Sequence, residues 1–306
     1  MTPLQFLRWL LLAVALIFQA SASAADLPKP TAGQTFGGIH YPINSLGYAL
    51  ETNYAALTHR LVHYQVSNDA LLIGPYASPA NPVGLSWNTN SILTGKRGVT
   101  AISIAQFGGT QSRLCLVTKR HAVGAGHYGG LTNGLTVFFL GTNNTLHRMT
   151  TSNIWVGQWS DADREDRAIL TFTQDVPDDV QPMRIAAPLT NGPTGDIYAL
   201  MEKYFPPEAQ NPYQPRAAFW VCQHGYCGRN GQHHPGGVIG SDGGDSGSPG
   251  FIILGDECVN IGGISMNAPT TNMLRRMDDL TRSLGLNPAK YQPSYVWLTN
   301  YPTWPN

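Results

Sequence analysis

Gly240-Ser241-Asp242-Gly243-Gly244-Asp245-Ser246-Gly247-Ser248-Pro249-Gly250-Phe251 sets glycines on both sides of one serine. Glycine reaches backbone conformations that a Cβ forbids, so this stretch can turn tightly around Ser246. Such a turn lifts the Ser246 hydroxyl clear of its neighbours. It also aims two backbone N–H groups, those of Gly244 and Ser246, at one point. Two such donors could hold the negative oxygen that develops when a serine attacks a carbonyl. A hydroxyl near its free pKa is a weak nucleophile, so the chain must supply a base elsewhere.

His127 is the candidate base. It ends the run His121-Ala122-Val123-Gly124-Ala125-Gly126-His127, in which a strand passes into small residues that permit a close turn. His121, on the approach, is the weaker candidate. A histidine that deprotonates serine needs an acceptor at its other ring nitrogen. Asp166 fits, because it precedes the apolar run Ala168-Ile169-Leu170-Thr171-Phe172 that would draw it partly inside. Its neighbours Asp161, Asp163 and Glu165 read as a solvated acidic loop.

Together these segments resemble the trypsin/chymotrypsin-like serine protease family, in an exported, bacterial-type form. Gly244-Asp245-Ser246-Gly247-Ser248-Pro249 is similar to the family's Gly-Asp-Ser-Gly-Gly-Pro, with Ser248 in place of a glycine. Val123-Gly124-Ala125-Gly126-His127 is similar to its Ala-Ala-His segment. Asp166-Arg167-Ala168-Ile169-Leu170 is similar to its Asp-x-Ala-x-Leu strand. The order His, Asp, Ser is the family's, whereas other triad enzymes use other orders.

The resemblance implies an all-β fold of two six-stranded antiparallel β-barrels, joined by a connector from Val180 to Pro188, with the active site between them. It implies catalysis by His127, Asp166 and Ser246, and an oxyanion hole made by the N–H groups of Gly244 and Ser246. No cofactor and no metal are expected. Tyr128 stands where many relatives carry a cysteine. No Ile-Val-Gly-Gly activation sequence precedes His127, and Gly240 offers no charge to receive Lys or Arg. Ser265 falls where a strand would pair with substrate backbone. The helical stretch near the C-terminus falls where a loop beside the substrate pocket is expected.

Composition sets the frame for this reading. The chain has 306 residues, with Lys+Arg and Asp+Glu balanced at 19 each, so no net charge draws it to nucleic acid. Only 12% of residues are charged while Gly and Pro are frequent, which suits a turn-rich β protein. Residues 1–24 read as a signal peptide: Arg8, a short apolar run from Trp9 to Phe18, then Ala22-Ser23-Ala24. The expected location is therefore secreted or periplasmic, with no stable membrane span after cleavage. Cys115, Cys222, Cys227 and Cys258 then favour disulfides, in any of three pairings. A zinc site using Cys222, His224, Cys227, His233 and His234 matches no standard ligand spacing.

Residues 25–90 read as an N-terminal extension broken by prolines, with one helix from Asn53 to Val62. Residues 91–306 read as the protease domain, with barrels over roughly 91–180 and 189–306. Strands are expected at 99–104, 114–118, 135–140, 153–156, 168–172, 196–201, 218–222, 249–254, 259–266 and 295–298, and an amphipathic helix from Thr271 to Leu284. The reading is a serine endopeptidase acting on a protein or peptide substrate. The alternatives are a catalytically silent protease-like binding domain and a serine esterase.

Overall fold

Short β-forming runs separated by Gly, Pro and Asn become short strands. The computed structural model describes residues 34–36, 39–41, 73–74, 84–89, 91, 93–104, 113–127, 130–157, 166–187, 219–222, 225–228, 246–263 and 271–297. β1 (Gln34–Phe36) and β2 (Ile39–Tyr41) form a hairpin in a unit, Met1–Ile43, that clusters apart from Asn44–Asn306. In the second unit β3 (Ile73–Gly74) pairs with β4 (Ser86–Trp87). The expected signal peptide, the helix at 53–62 and the strand at 196–201 lie outside the described residues.

The first large sheet is antiparallel. It is built from β5 (Cys115–Leu116), β6 (His121–Gly124), β7 (Thr136–Leu140), β8 (Leu146–Val156) and β9 (Ala168–Phe172), in the order β5-β6-β9-β8-β7. Gly141-Thr142-Asn143-Asn144 makes the β7–β8 turn, with Asn144 left-handed at φ 63°. Asn tolerates that region better than most residues.

A strand was expected at 99–104. Instead Gly98, at φ 80°, starts a single 3₁₀ turn over Val99–Ala101. The next residues bridge Ile102 to Cys115 and Ser103 to Phe139. Ser103 N–H donates to the Leu114 carbonyl at 3.0 Å, and Ile104 N–H donates to the Phe138 carbonyl at 2.8 Å. Since β5 and β7 are the two edges of the sheet, these residues touch both, and the sheet curls around a core. Phe139 and Phe172 meet there edge to face at 5.7 Å, and Ile102 and Leu140 are also fully buried.

The second sheet comprises β10 (Arg184–Ala187), β11 (Phe219–Cys222), β12 (Gly225–Gly228), β13 (Pro249–Leu254), β14 (Glu257–Gly263) and β15 (Tyr295–Trp297). Their order is β12-β11-β13-β14-β10-β15. The expectation of purely antiparallel barrels does not hold here, because β10 runs parallel to both β14 and β15. The reason lies in the segment read as a connector. Met183 N–H donates to the Leu116 carbonyl of β5 at 2.9 Å, and the chain then enters the second sheet as a strand.

α1 (Thr271–Ser283) forms as its periodicity predicts, with Met273, Met277 and Leu280 buried. It packs on β8 and β9. Arg276 stacks over the Trp155 ring at 5.2 Å, and Asn153 Nδ2 donates to Ser283 Oγ at 3.0 Å. This explains why every residue of β9 is buried: the curled core covers one face and the helix the other. Among the described residues no helix is long and apolar enough to cross a membrane.

Glu257 follows the turn residues Gly255-Asp256 and begins β14, and it is buried. The Arg184 guanidinium grips its carboxylate, with Nε 2.6 Å from Oε1, and Arg97 Nη2 lies 3.2 Å from Oε2. A buried carboxylate is tolerable only with such partners.

The cysteines correct a further expectation. Cys115 and Cys258 are free thiols, both fully buried. Burial pushes each up to about 12. Asn260 Nδ2 sits 3.4 Å from Cys115 Sγ. The pairing expected of all four cysteines therefore fails for these two, which lie on different sheets. Folded protein should leave Cys115 and Cys258 unmodified by a water-soluble thiol reagent. Denaturation without reductant should expose both, and peptide mapping of the labelled chain checks this.

Candidate active site

β6 and β9 pair with Gly124 opposite Ala168, so the chain leaving β6 and the chain entering β9 lie side by side. Asp166 sits two residues before β9 and His127 three residues after β6. Asp166 is 4% exposed, and a carboxylate that deep needs donors. His127 supplies two. Its backbone N–H donates to Asp166 Oδ1 at 2.8 Å, and its Nδ1 lies 2.5 Å from Asp166 Oδ2. The short Nδ1 contact to an acceptor assigns the proton to Nδ1 and leaves Nε2 as the basic nitrogen. The His127 ring is 42% exposed, so its outer edge is accessible.

The approach of the two turns is set by backbone. A Cβ on Gly126 would lie 2.3 Å from the Gly157 carbonyl oxygen and 2.9 Å from Arg167 N. The serine turn meets the same segment from another side. Gly247 has φ +80°, and a Cβ there would lie 2.6 Å from Ala125 N and 3.2 Å from Ala125 Cβ. The turn bearing Ser246 thus rests on the chain two residues before His127. Ser246 itself is half-buried, while Ser248 is fully buried and its Oγ has no hydrogen-bond partner among the described residues. That contrast marks Ser246 as the accessible hydroxyl of the two. Gly240, Gly244, Asp245, Tyr128, Asp161, Asp163, Glu165 and Ser265 lie outside the described residues.

Beyond Pro249 the sheet carries a β-bulge. Gly250 pairs with Gly262 and Phe251 with Asn260, leaving Ile261 as the extra residue. Gly262 adopts φ 129° there. Asn260 acts as the bulge's partner: its Oδ1 accepts from Gly262 N–H at 3.1 Å, and its Nδ2 donates to the Gly262 carbonyl at 3.2 Å. Bulges of this kind bend a strand beside a site. Asn260 carried no sequence signal for this role. The paired glycines Gly262-Gly263 were the available hint.

His121, the weaker candidate base, is structural. It is fully buried, with Nδ1 2.8 Å from Thr118 Oγ1 and Nε2 3.1 Å from Thr281 Oγ1 on α1. Thr281 donates its own proton to the Met277 carbonyl at 2.7 Å, so it accepts from Nε2–H. Thr118 already accepts the N–H groups of Arg120 and His121, so its hydroxyl donates to Nδ1. The ring is neutral and fully committed. Protonating Nδ1 would set two donors face to face.

Comparisons with known proteins add little. No protein-family model matches the chain, and no curated protein matches it. Among solved structures it is similar to a mutant of human heparin binding protein, with a TM-score of 0.35 and 11% identity over 62% of this chain and 96% of that one. A likeness that distant says nothing about chemistry.

Burial, and secondarily the charge of Arg120, lowers His121 to about 4 from 6.5. The unfolded chain then binds a proton that the folded chain refuses between those values. His121's contribution is complete above pH 6.5 and disappears as pH falls through about 4, a loss of order 3 kcal/mol. Urea titrations across that range should show this decline in wild type and a flatter profile in His121→Gln.

Proposed function

We propose that the chain is a serine endopeptidase of the trypsin/chymotrypsin-like type, exported to the periplasm or medium, with residues 91–306 as its catalytic domain. The observation that carries this reading is the two-point bond from His127 to the buried Asp166, made beside the turn that holds Ser246.

Ser246 Oγ attacks the carbonyl carbon of a peptide bond while His127 Nε2 takes its proton. Asp166 keeps the remaining ring proton on Nδ1 and stabilises the imidazolium. The N–H groups of Gly244 and Ser246 stabilise the oxyanion of the tetrahedral intermediate. That intermediate collapses as His127 gives its proton to the leaving amine, leaving Ser246 acylated. Water, activated by His127, then releases the acid and restores the serine. A bond to the backbone N–H as well as to Nδ1 leaves the imidazole little rotation, which is the pre-alignment such a relay requires.

Ser246→Ala should lower peptide turnover by about 10⁶-fold, and adding His127→Ala should cost little more, because triad members act as a unit. Steady-state kinetics on a peptide library, with ester substrates alongside, checks this. Independent, multiplying losses would refute a joint mechanism. Ester turnover with no peptide cleavage would replace the endopeptidase by an esterase.

A further inference from the structure

We propose that Gly126 is a positioning residue, whose missing side chain sets the distance between His127 and Asp166. The inference rests on reading His127 and Asp166 as members of a catalytic triad. Gly126 stands where the resembling family carries alanine, so a Cβ at this position is ordinary in that pattern and unaffordable here.

The obstacle is backbone on every side. The nearest atoms to a Cβ at Gly126 are the Gly157 carbonyl oxygen at 2.3 Å, Arg167 N at 2.9 Å and Arg167 O at 3.0 Å. None is the end of a flexible side chain. The Gly157 carbonyl is held in place because Gly157 N–H donates to Arg167 O at 2.8 Å. Arg167 in turn sits between Asp166 and the start of β9, whose pairing with β6 is fixed over four residues. A methyl at position 126 must therefore lift the 125–127 turn off this surface. His127 would move with it, and both its bonds to Asp166 would lengthen.

The neighbouring glycine of β6 differs. A Cβ on Gly124 would meet Leu114 Cδ2 at 2.4 Å, with the nearest backbone atom, Arg113 O, at 3.7 Å. A leucine methyl can swing away at a cost in packing. Gly124→Ala thus strains the same strand without displacing the turn. Gly247 closes the other side of the segment, and a Cβ there presses on Ala125 N. Ala125-Gly126 is a spacer between the serine turn and the aspartate turn.

The test compares Gly126→Ala with Gly124→Ala. The proton between His127 Nδ1 and Asp166 Oδ2 should give a low-field resonance in wild type. It should survive in Gly124→Ala and be lost or move upfield in Gly126→Ala. Peptide turnover should fall by about 10²-fold or more in Gly126→Ala alone, the scale expected when a catalytic group shifts by about 1 Å. A retained resonance in folded Gly126→Ala overturns the proposal whatever the activity. Loss of the resonance in a protein that cleaves nothing even as wild type would keep the positioning role and reject the protease reading. Should Gly126→Ala fail to fold, amide exchange in wild type decides. A pinned turn predicts that the His127 amide exchanges as slowly as that of Val123, and fast exchange at His127 overturns the idea.

Discussion

A carboxylate as buried as that of Asp166 is tolerable only if its lone pairs are met, and His127 meets them with two donors from a single residue. Much of the neighbouring architecture follows from that demand. The chain after β6 must lie flat against the chain before β9, which leaves no volume for a side chain at Gly126. β6 and β9 must be sheet neighbours although β7 and β8 separate them in sequence, and the order β5-β6-β9-β8-β7 provides this. The same sheet curls, so that Ile102–Ile104 reaches β5 and β7 together.

Sequence made the local parts of this legible. Small residues before His127 and apolar residues after Asp166 mark the pair in the sequence, and the two share two hydrogen bonds. β9, β13 and α1 were legible because each carries a clean apolar pattern. The first half of β8 was missed because Leu146-His147-Arg148-Met149-Thr150-Thr151-Ser152 is mostly polar. It is a strand because β7 supplies a complete partner ladder. The 99–104 run failed as a strand because Gly98 takes a left-handed conformation, and a Cβ there would lie 2.8 Å from the Cys258 carbonyl oxygen.

Non-local effects were the illegible ones. Nothing in Val180 to Pro188 shows that its second half becomes a parallel strand, since that depends on where β14 and β15 run. Nothing local to Glu257 marks it as buried, because its partners, Arg97 and Arg184, are remote in sequence. The cysteine count predicted pairing from compartment, whereas Cys115 and Cys258 are packed as small apolar side chains. His121 and His127 look alike in sequence, and only the positions of Thr118 and Thr281 separate a locked ring from an accessible one.

The central claim is that Ser246 is the nucleophile served by His127 and Asp166. Mass-spectrometric mapping of a fluorophosphonate adduct tests it most directly, since that reagent bonds to an activated serine and spares ordinary hydroxyls. The account predicts one adduct, on the peptide containing Ser246, that is abolished by His127→Ala. An adduct on Ser248 or elsewhere, or none on folded protein, would contradict it.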